Sequence, residues 1–398
     1  MALAALICAY QESDEPGGPL RATLPLAGRS VVERQARLAA AAGAERIIIL
    51  VERLPPDLAA AIDRLRSEGV SALVARSVAE AAASIQPGDR LLFVADGLIA
   101  GQGHLSRLAE AQGTALLTVP DQSVDDRFER IDAHSRWAGL ALLDGEMLRR
   151  TADMLEDWDL QSTLLRHAVQ GGARQYALRT DPGDEPPVIA ERAEDLDAAE
   201  SRIVERAGAA RGDWASLYLL GPIERSLTGL LMPTSVTPGW LDITAAALTG
   251  LAALLFAQGW LWAGLVLVLV STPLDGAAER LAALRLQPRR GLGWWSYILP
   301  ALAAVALAAA AWSLGRTAGW GCLALAATTL SFLLALRGET GPGMPASGRF
   351  FLAERKGMAW LMLPFAAAGL WVTGLAALAC YAAGSFFWAQ RQVHRPHE

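Results

Sequence analysis

At 398 residues the chain is long enough for two domains, and 53% hydrophobic against 19% charged content is high for a water-soluble protein. A formal net charge of −6 supplies no basic surface, so no nucleic-acid partner is expected. The averages hide a division: ten of the thirteen tryptophans fall from Trp240 to Trp388, where the only acids are Asp242, Asp275, Glu279, Glu339 and Glu354. The first 235 residues carry the mixed charge of a soluble domain.

The apolar start, Met1 to Ala9, is short and has no basic leader, so it reads as a strand and not as a signal peptide. Leu3–Ala9, Arg46–Val51, Arg90–Ala95, Ala115–Val119 and Leu140–Leu143 have the pattern of buried strands. Val31–Ala42, Asp57–Glu68 and Val78–Ile85 have the helical period between them. Such alternation predicts an α/β domain, a mostly parallel sheet with helices on both faces and its site at the carboxyl edge. The loops Tyr10–Ser30 and Asp96–Gly103 lie at that edge. Thr180–Pro187, with three prolines and three acids, reads as a surface loop, and Asp195–Arg211 as a helix leading toward the membrane.

Six apolar segments follow: Leu241–Ala257, Trp260–Leu274, Trp294–Leu314, Trp320–Leu336, Met358–Leu370 and Val372–Gln390. The second is short and is expected to run on past Asp275, and the last two share one apolar stretch that could also form a single helix. Arg280, Arg285, Arg289 and Arg290 follow the second segment, Arg337, Arg349, Arg355 and Lys356 the fourth, Arg391 and Arg395 the sixth. Basic loops at every second crossing predict six spans in the cell membrane with both termini cytoplasmic. The expected division is 1–213 for the α/β domain, 214–238 for a juxtamembrane connector and 239–398 for an all-α transmembrane domain. Cys8, Cys322 and Cys380 show no ligand spacing and read as core residues; His104 and His134 are isolated and read as structural or surface residues.

Arg21-Ala-Thr-Leu-Pro-Leu-Ala-Gly-Arg-Ser-Val-Val-Glu-Arg-Gln35, with Ala41-Ala-Gly-Ala-Glu-Arg-Ile-Ile-Ile-Leu50, resembles the start of a sugar-phosphate nucleotidyltransferase. Val94-Ala-Asp-Gly97 falls where that family places a metal-binding aspartate after a strand. Thr272-Pro-Leu-Asp-Gly-Ala-Ala-Glu-Arg280 resembles the D-x-x-D-G-x-x-A-R signature of CDP-alcohol phosphatidyltransferases, and Val236-Thr-Pro-Gly-Trp-Leu-Asp-Ile243 the start of that family's first span. In this order the halves look like the bifunctional inositol-1-phosphate cytidylyltransferase/di-myo-inositol phosphate phosphate synthases. The resemblance implies Mg²⁺ or Mn²⁺, a nucleoside triphosphate or CDP-alcohol, membrane lipid, and a homodimer.

It also implies site residues. In the front half Arg21 stands at the family's lysine position, since Lys356 is the only lysine in the chain. Gly17 and Gly18 would belong to the nucleotide loop, although Glu12, Asp14 and Glu15 beside them repel phosphate. Asp96 and Glu191 would be the metal pair; as an Asp-Gly turn at a strand end, Asp96 is equally expected as a purely structural residue. In the back half Asp275 and Arg280 would be catalytic, with Asp275 a metal ligand. Thr272 stands at the first aspartate position and Glu279 at the alanine position. The third and fourth carboxylates fall on Gly293 and Tyr297, or on Trp295 and Leu299, and no aspartate follows Asp275. Neutral residues there cannot hold a divalent ion against a diphosphate, so metal-dependent phosphotransfer is expected to be lost. Asp275 and Glu279 could equally be a pair on one helix face balanced by Arg280 or Arg285. Two functions stay open: a transferase with an altered site, and a silent scaffold or regulator of lipid synthesis. Transport is disfavoured, because the spans hold no central chain of charges and no paired broken helices.

Overall fold

The computed structural model describes residues 2–15, 17–121, 126–154, 159–178, 186–209, 213–232, 234, 236–287, 295–339 and 351–393. Its contacts divide the chain into two units, Met1–Arg206 and Ala207–Glu398.

In the front unit, the strands β1 (Leu3–Cys8), β4 (Arg46–Leu50) and β6 (Arg90–Val94) are almost wholly buried. Their apolar runs do not alternate because helices cover both faces of a parallel sheet. The seven-stranded sheet has the order β10-β8-β9-β6-β1-β4-β5, with β5 at Ala72–Ala75, β8 at Ala115–Pro120, β9 at Ser135–Asp144 and β10 at Arg174–Ala177. β9 alone runs antiparallel to its neighbours, so the sheet is mixed. It is also longer than its Leu140–Leu143 pattern. Opposite Leu116 and Thr118 it supplies Ala141 and Trp137, so two extra residues bulge around Gly139, whose φ of 81° favours glycine.

Around the sheet lie α1 (Val31–Ala41), α2 (Pro56–Ser67), α3 (Val78–Ala83), α4 (Gln102–Glu110), α5 (Gly145–Met154) and α6 (Leu160–Gln170). α1 starts with a capping box of Ser30 and Glu33, preceded by the hairpin β2 (Pro25–Leu26) and β3 (Arg29–Ser30). The small pair β7 (Leu98–Ile99) and β11 (Val188–Ile189) brings a late segment to the carboxyl edge of β6. α7 (Glu194–Ala209) follows the expected helix as far as Ala209, and the expected last two residues lie outside the described ones. Most of the expected loop at 180–187 lies outside the described residues.

The back unit opens with a π-helical turn, Ser216–Leu220, that leads into α8 (Gly221–Leu231). The long helices are α9 (Pro238–Ala257), α10 (Leu261–Leu284), α11 (Trp295–Ala318), α12 (Gly321–Glu339), and, after the shorter α13 (Arg355–Ala367), α14 (Trp371–Val393). Among the described residues five helices, α9 to α12 and α14, are long and apolar enough to cross a membrane, which makes this a multi-pass membrane protein. α10 continues through Pro273 to Leu284, ten residues past the end of its apolar segment. The final apolar stretch is two helices and not one, because Gly369, at φ 74°, ends α13 in a left-handed turn. α13 spans only about 20 Å at 1.5 Å per residue, less than a bilayer core. Cys8 and Cys322 are buried as expected, but Cys380 faces outward from α14 and is not a core residue of the unit.

Candidate functional site

The two expected sites lie in different units and are built separately. In the front unit Asp96 lies two residues beyond β6 and is 2% exposed. Its Oδ2 accepts hydrogen bonds from the backbone N–H groups of Tyr10 and Gln11, both at 2.7 Å. Oδ1 is buried with no hydrogen-bond partner among the described residues. Burial pushes the carboxyl up to about 7, against the opposing pull of the two N–H groups and Arg21. Gly97, at φ 68°, makes the turn beyond; a Cβ there would lie 2.6 Å from the Ala190 carbonyl. That close approach, with the Ala190 N–H donating to the Gly97 carbonyl at 2.9 Å, places Glu191 at the edge where Arg21 lies.

Arg21 is fully engaged by the protein. Nη2 lies 3.1 Å from Glu191 Oε1 and 3.6 Å from Asp14 Oδ1, Nη1 donates to Gln11 Oε1 at 3.0 Å, and Nε donates to the Glu12 carbonyl. The loop ahead of it is closed on itself. The N–H groups of Ser13, Gly18 and Arg21 donate to the carbonyls of Pro19, Glu15 and Gln11, and that of Asp14 to Glu191. Gly18 is required because any Cβ would collide with Ser13 Oγ, and Gly17 takes φ 65°. A triphosphate cradle needs N–H groups turned outward; most of these are turned inward. The structure therefore does bring Arg21, Gly17, Gly18, Asp96 and Glu191 to one edge. It brings them there as a bonded knot in which a guanidinium stands between two carboxylates. Tyr10, whose hydroxyl donates to Asp159 Oδ1 at 2.9 Å, joins this edge across 149 positions of sequence, a separation no local pattern signals.

The back unit repeats the arrangement. Asp275, 8% exposed on α10, accepts from Arg355 Nη2 at 3.1 Å, while Arg355 Nη1 donates to Ser271 Oγ at 3.1 Å. Glu279 lies one turn on and pairs with Lys356 Nζ at 3.6 Å. Glu224 of α8 is 1% exposed and accepts from Arg280 Nε at 3.0 Å, with Lys356 Nζ 3.7 Å from its other oxygen. Asp275 and Glu279 thus pair with Arg355 and Lys356, partners that their helix spacing does not signal. Arg285 donates to the carbonyls of Val236 at 2.6 Å and Thr234 at 2.8 Å. Asp213 binds the first turns of two helices, accepting from the N–H groups of Ser216 and Gly357, both at 2.8 Å. Thr272, at the first aspartate position, accepts from Trp360 Nε1 at 3.1 Å. Tyr297 is 67% exposed, and Gly293 lies outside the described residues.

These residues do not fit a divalent ion. The carboxylates needed to hold it are bound by side-chain cations, and among the described residues no group of three or more His, Cys, Asp or Glu could hold a metal. Sequence reasoning passed over Glu224, Arg355 and Lys356. Arg355 and Lys356 read as loop charges that set topology, and the one signal available was that Lys356 is the only lysine in the chain. Beside the network a cavity of about 1130 Å³ runs between the helices, lined by Asp242, Asp275, Glu354 and Arg355 at one end and by apolar side chains beyond. Burial, then the carboxylates of Asp213, Glu279 and Asp275, push Glu354, just ahead of α13, up to about 7 against the pull of Lys356.

No family model matches the chain, and no curated protein matches it. Among solved structures it is similar to a protein of Bacillus anthracis described as a glucose-1-phosphate thymidylyltransferase, solved in complex with sucrose. The likeness covers 50% of this chain and 94% of that one, with a TM-score of 0.40 and 11% sequence identity.

Proposed function

We propose that this is a membrane protein of polar-lipid or inositol-phosphate headgroup metabolism that does not itself carry out CDP-alcohol phosphotransfer, and that serves as a scaffold or regulator of a lipid-synthesis complex. The observation that carries this is the Asp275–Arg355 pair with its neighbour Lys356. A divalent ion bridges diphosphate oxygens and concentrates two charges on them. A guanidinium already bonded to Asp275, Ser271 and Thr249 supplies neither the open coordination positions nor that charge. The purified full chain, given CDP-alcohols and an alcohol acceptor with Mg²⁺ or Mn²⁺, is expected to release no CMP above background. Metal-dependent release that Asp275→Asn abolishes would refute the reading and restore Asp275 and Arg280 as catalytic residues.

A second reading, retained nucleotide binding or transfer in the front unit, is favoured by one atom. Asp96 Oδ1 is buried and without a hydrogen-bond partner among the described residues, at the edge that Arg21 and Glu191 share. If a nucleoside triphosphate with its divalent ion binds anywhere in this protein, Arg21→Ala and Asp96→Ala are expected to weaken it about tenfold or more. Calorimetry measures this, and unchanged affinity in both variants would place the site elsewhere.

We also propose six crossings of the cell membrane, counting α13, with both termini in the cytoplasm. Arg280 and Arg285, Arg337 and Arg355, and Arg391 then share the anionic side of the bilayer. In a background lacking Cys8, Cys322 and Cys380, a cysteine replacing Arg316 should react with an impermeant thiol reagent in intact cells. One replacing Gln392 should react only after lysis; labelling of that cysteine from outside would show an odd number of crossings.

A further inference from the structure

The cavity of the back unit is sorted by chemistry along its length. Most of its polar lining comes from one end of the helices, with Thr249 and Asp275 further in: Asp242 near the start of α9, Tyr297 near the start of α11, Arg337 in the last turn of α12, and Glu354 and Arg355 at the start of α13. Beyond that end the lining is apolar, from Leu333 of α12, one turn from Arg337, to Leu307 of α11 and Leu375 of α14. On α11 the lining runs from Tyr297 to Ala310, about 20 Å at 1.5 Å per residue, which is some two-thirds of a bilayer core. A shaft of that depth with one charged end has the shape of an amphiphile lying along the bilayer normal.

The charges at the end narrow the head group. Arg355 is held by Asp275. Arg337 makes no ion pair among the described residues, and an uncompensated guanidinium on an apolar cavity favours a phosphate, which it can grip with two parallel hydrogen bonds. The carboxylates of Asp242 and Glu354 on the same lining disfavour a head with net negative charge and suit an ammonium. A neutral diglyceride would leave Arg337 without an anion.

We propose that this cavity holds one zwitterionic glycerophospholipid, its phosphate on Arg337, its ammonium toward Asp242 and Glu354, and an acyl chain along Leu307, Leu333 and Leu375. The assignment goes beyond the loss of phosphotransfer and does not depend on it, because Arg337 stands outside the Asp275–Glu279–Glu224 network.

The full chain, purified in detergent and stripped of lipid, is titrated with phosphatidylethanolamine, phosphatidylglycerol and diacylglycerol and followed by native mass spectrometry. No CDP-alcohol is present, so the result is separable from the CMP-release assay. One phosphatidylethanolamine is expected to bind in preference to the other two. Arg337→Gln should weaken it roughly tenfold, Arg337→Lys should retain most of the affinity, and Ala310→Phe, which obstructs the shaft, should weaken all binding. Arg337 is exposed, so its variants are expected to fold. Wild-type affinity in Arg337→Gln would overturn the proposal. So would tighter binding of phosphatidylglycerol, equal binding of diacylglycerol, or several equivalent lipids bound without head-group preference.

Discussion

Arg355→Gln is expected to destabilise the helical unit by about 3–5 kcal/mol, the cost of breaking a buried ion pair by removing one member. The side chains concerned are 17% and 12% exposed, so water screens the loss only in part. Arg355 also donates to Ser271 at 3.1 Å, so removing it breaks that bond together with the Asp275 pair. The measurement is thermal unfolding of the full chain in detergent, where a fall of several degrees is expected. Asp275→Asn combined with Arg355→Gln should recover much of it, since a neutral pair carries no desolvated charge. If Asp275 were instead poised for a metal, Arg355→Gln would cost little without metal and would raise stability when Mg²⁺ is added. Metal-dependent stabilisation of Arg355→Gln, absent in the double variant, would mean that the arginine merely occupies a competent site.

How far the sequence reaches is shown by which interactions are local. The strands β1, β4 and β6 are continuous apolar runs and could be placed to within a residue, because burial on both faces leaves no other pattern. β9 was legible only past Gly139, since the bulge there interrupts the run that the period detects. Asp275 stood out as an acid among apolar residues, but its partner lies 80 positions away in a segment that also reads as a topogenic basic loop. Glu224 was less visible still. It lies in a stretch that reads as a connector, and only the fold turns it inward while Leu217, Tyr218, Ile223 and Leu230 face outward. Composition and period report burial and side; they do not report which charge meets which.

Gly276 tests the same distinction at a residue the signature motif already singles out. The resemblance matches it to the glycine that follows the second aspartate of the signature. The structure gives it a close neighbour: a Cβ at 276 would overlap the carboxylate of Glu224. Glu224 cannot retreat freely, because it is 1% exposed and holds Arg280 at 3.0 Å and Lys356 at 3.7 Å. Two effects oppose each other in Gly276→Ala. Alanine favours the helix by about 1 kcal/mol over glycine. Overpacking costs about 1–3 kcal/mol, and displacing a buried carboxylate from its cations about 3–5 kcal/mol if complete. The second group wins, so a net loss of about 2–4 kcal/mol is expected in chemical or thermal unfolding of the full chain. Glu224→Ala alone strands Arg280 and should be comparably damaging, whereas the double variant should cost clearly less than the sum, since each change has already removed what the other disturbs. A Gly276→Ala protein as stable as the parent, or more stable by the helix-propensity difference alone, would show that Glu224 does not occupy that space. The glycine would then have to be explained by a ligand.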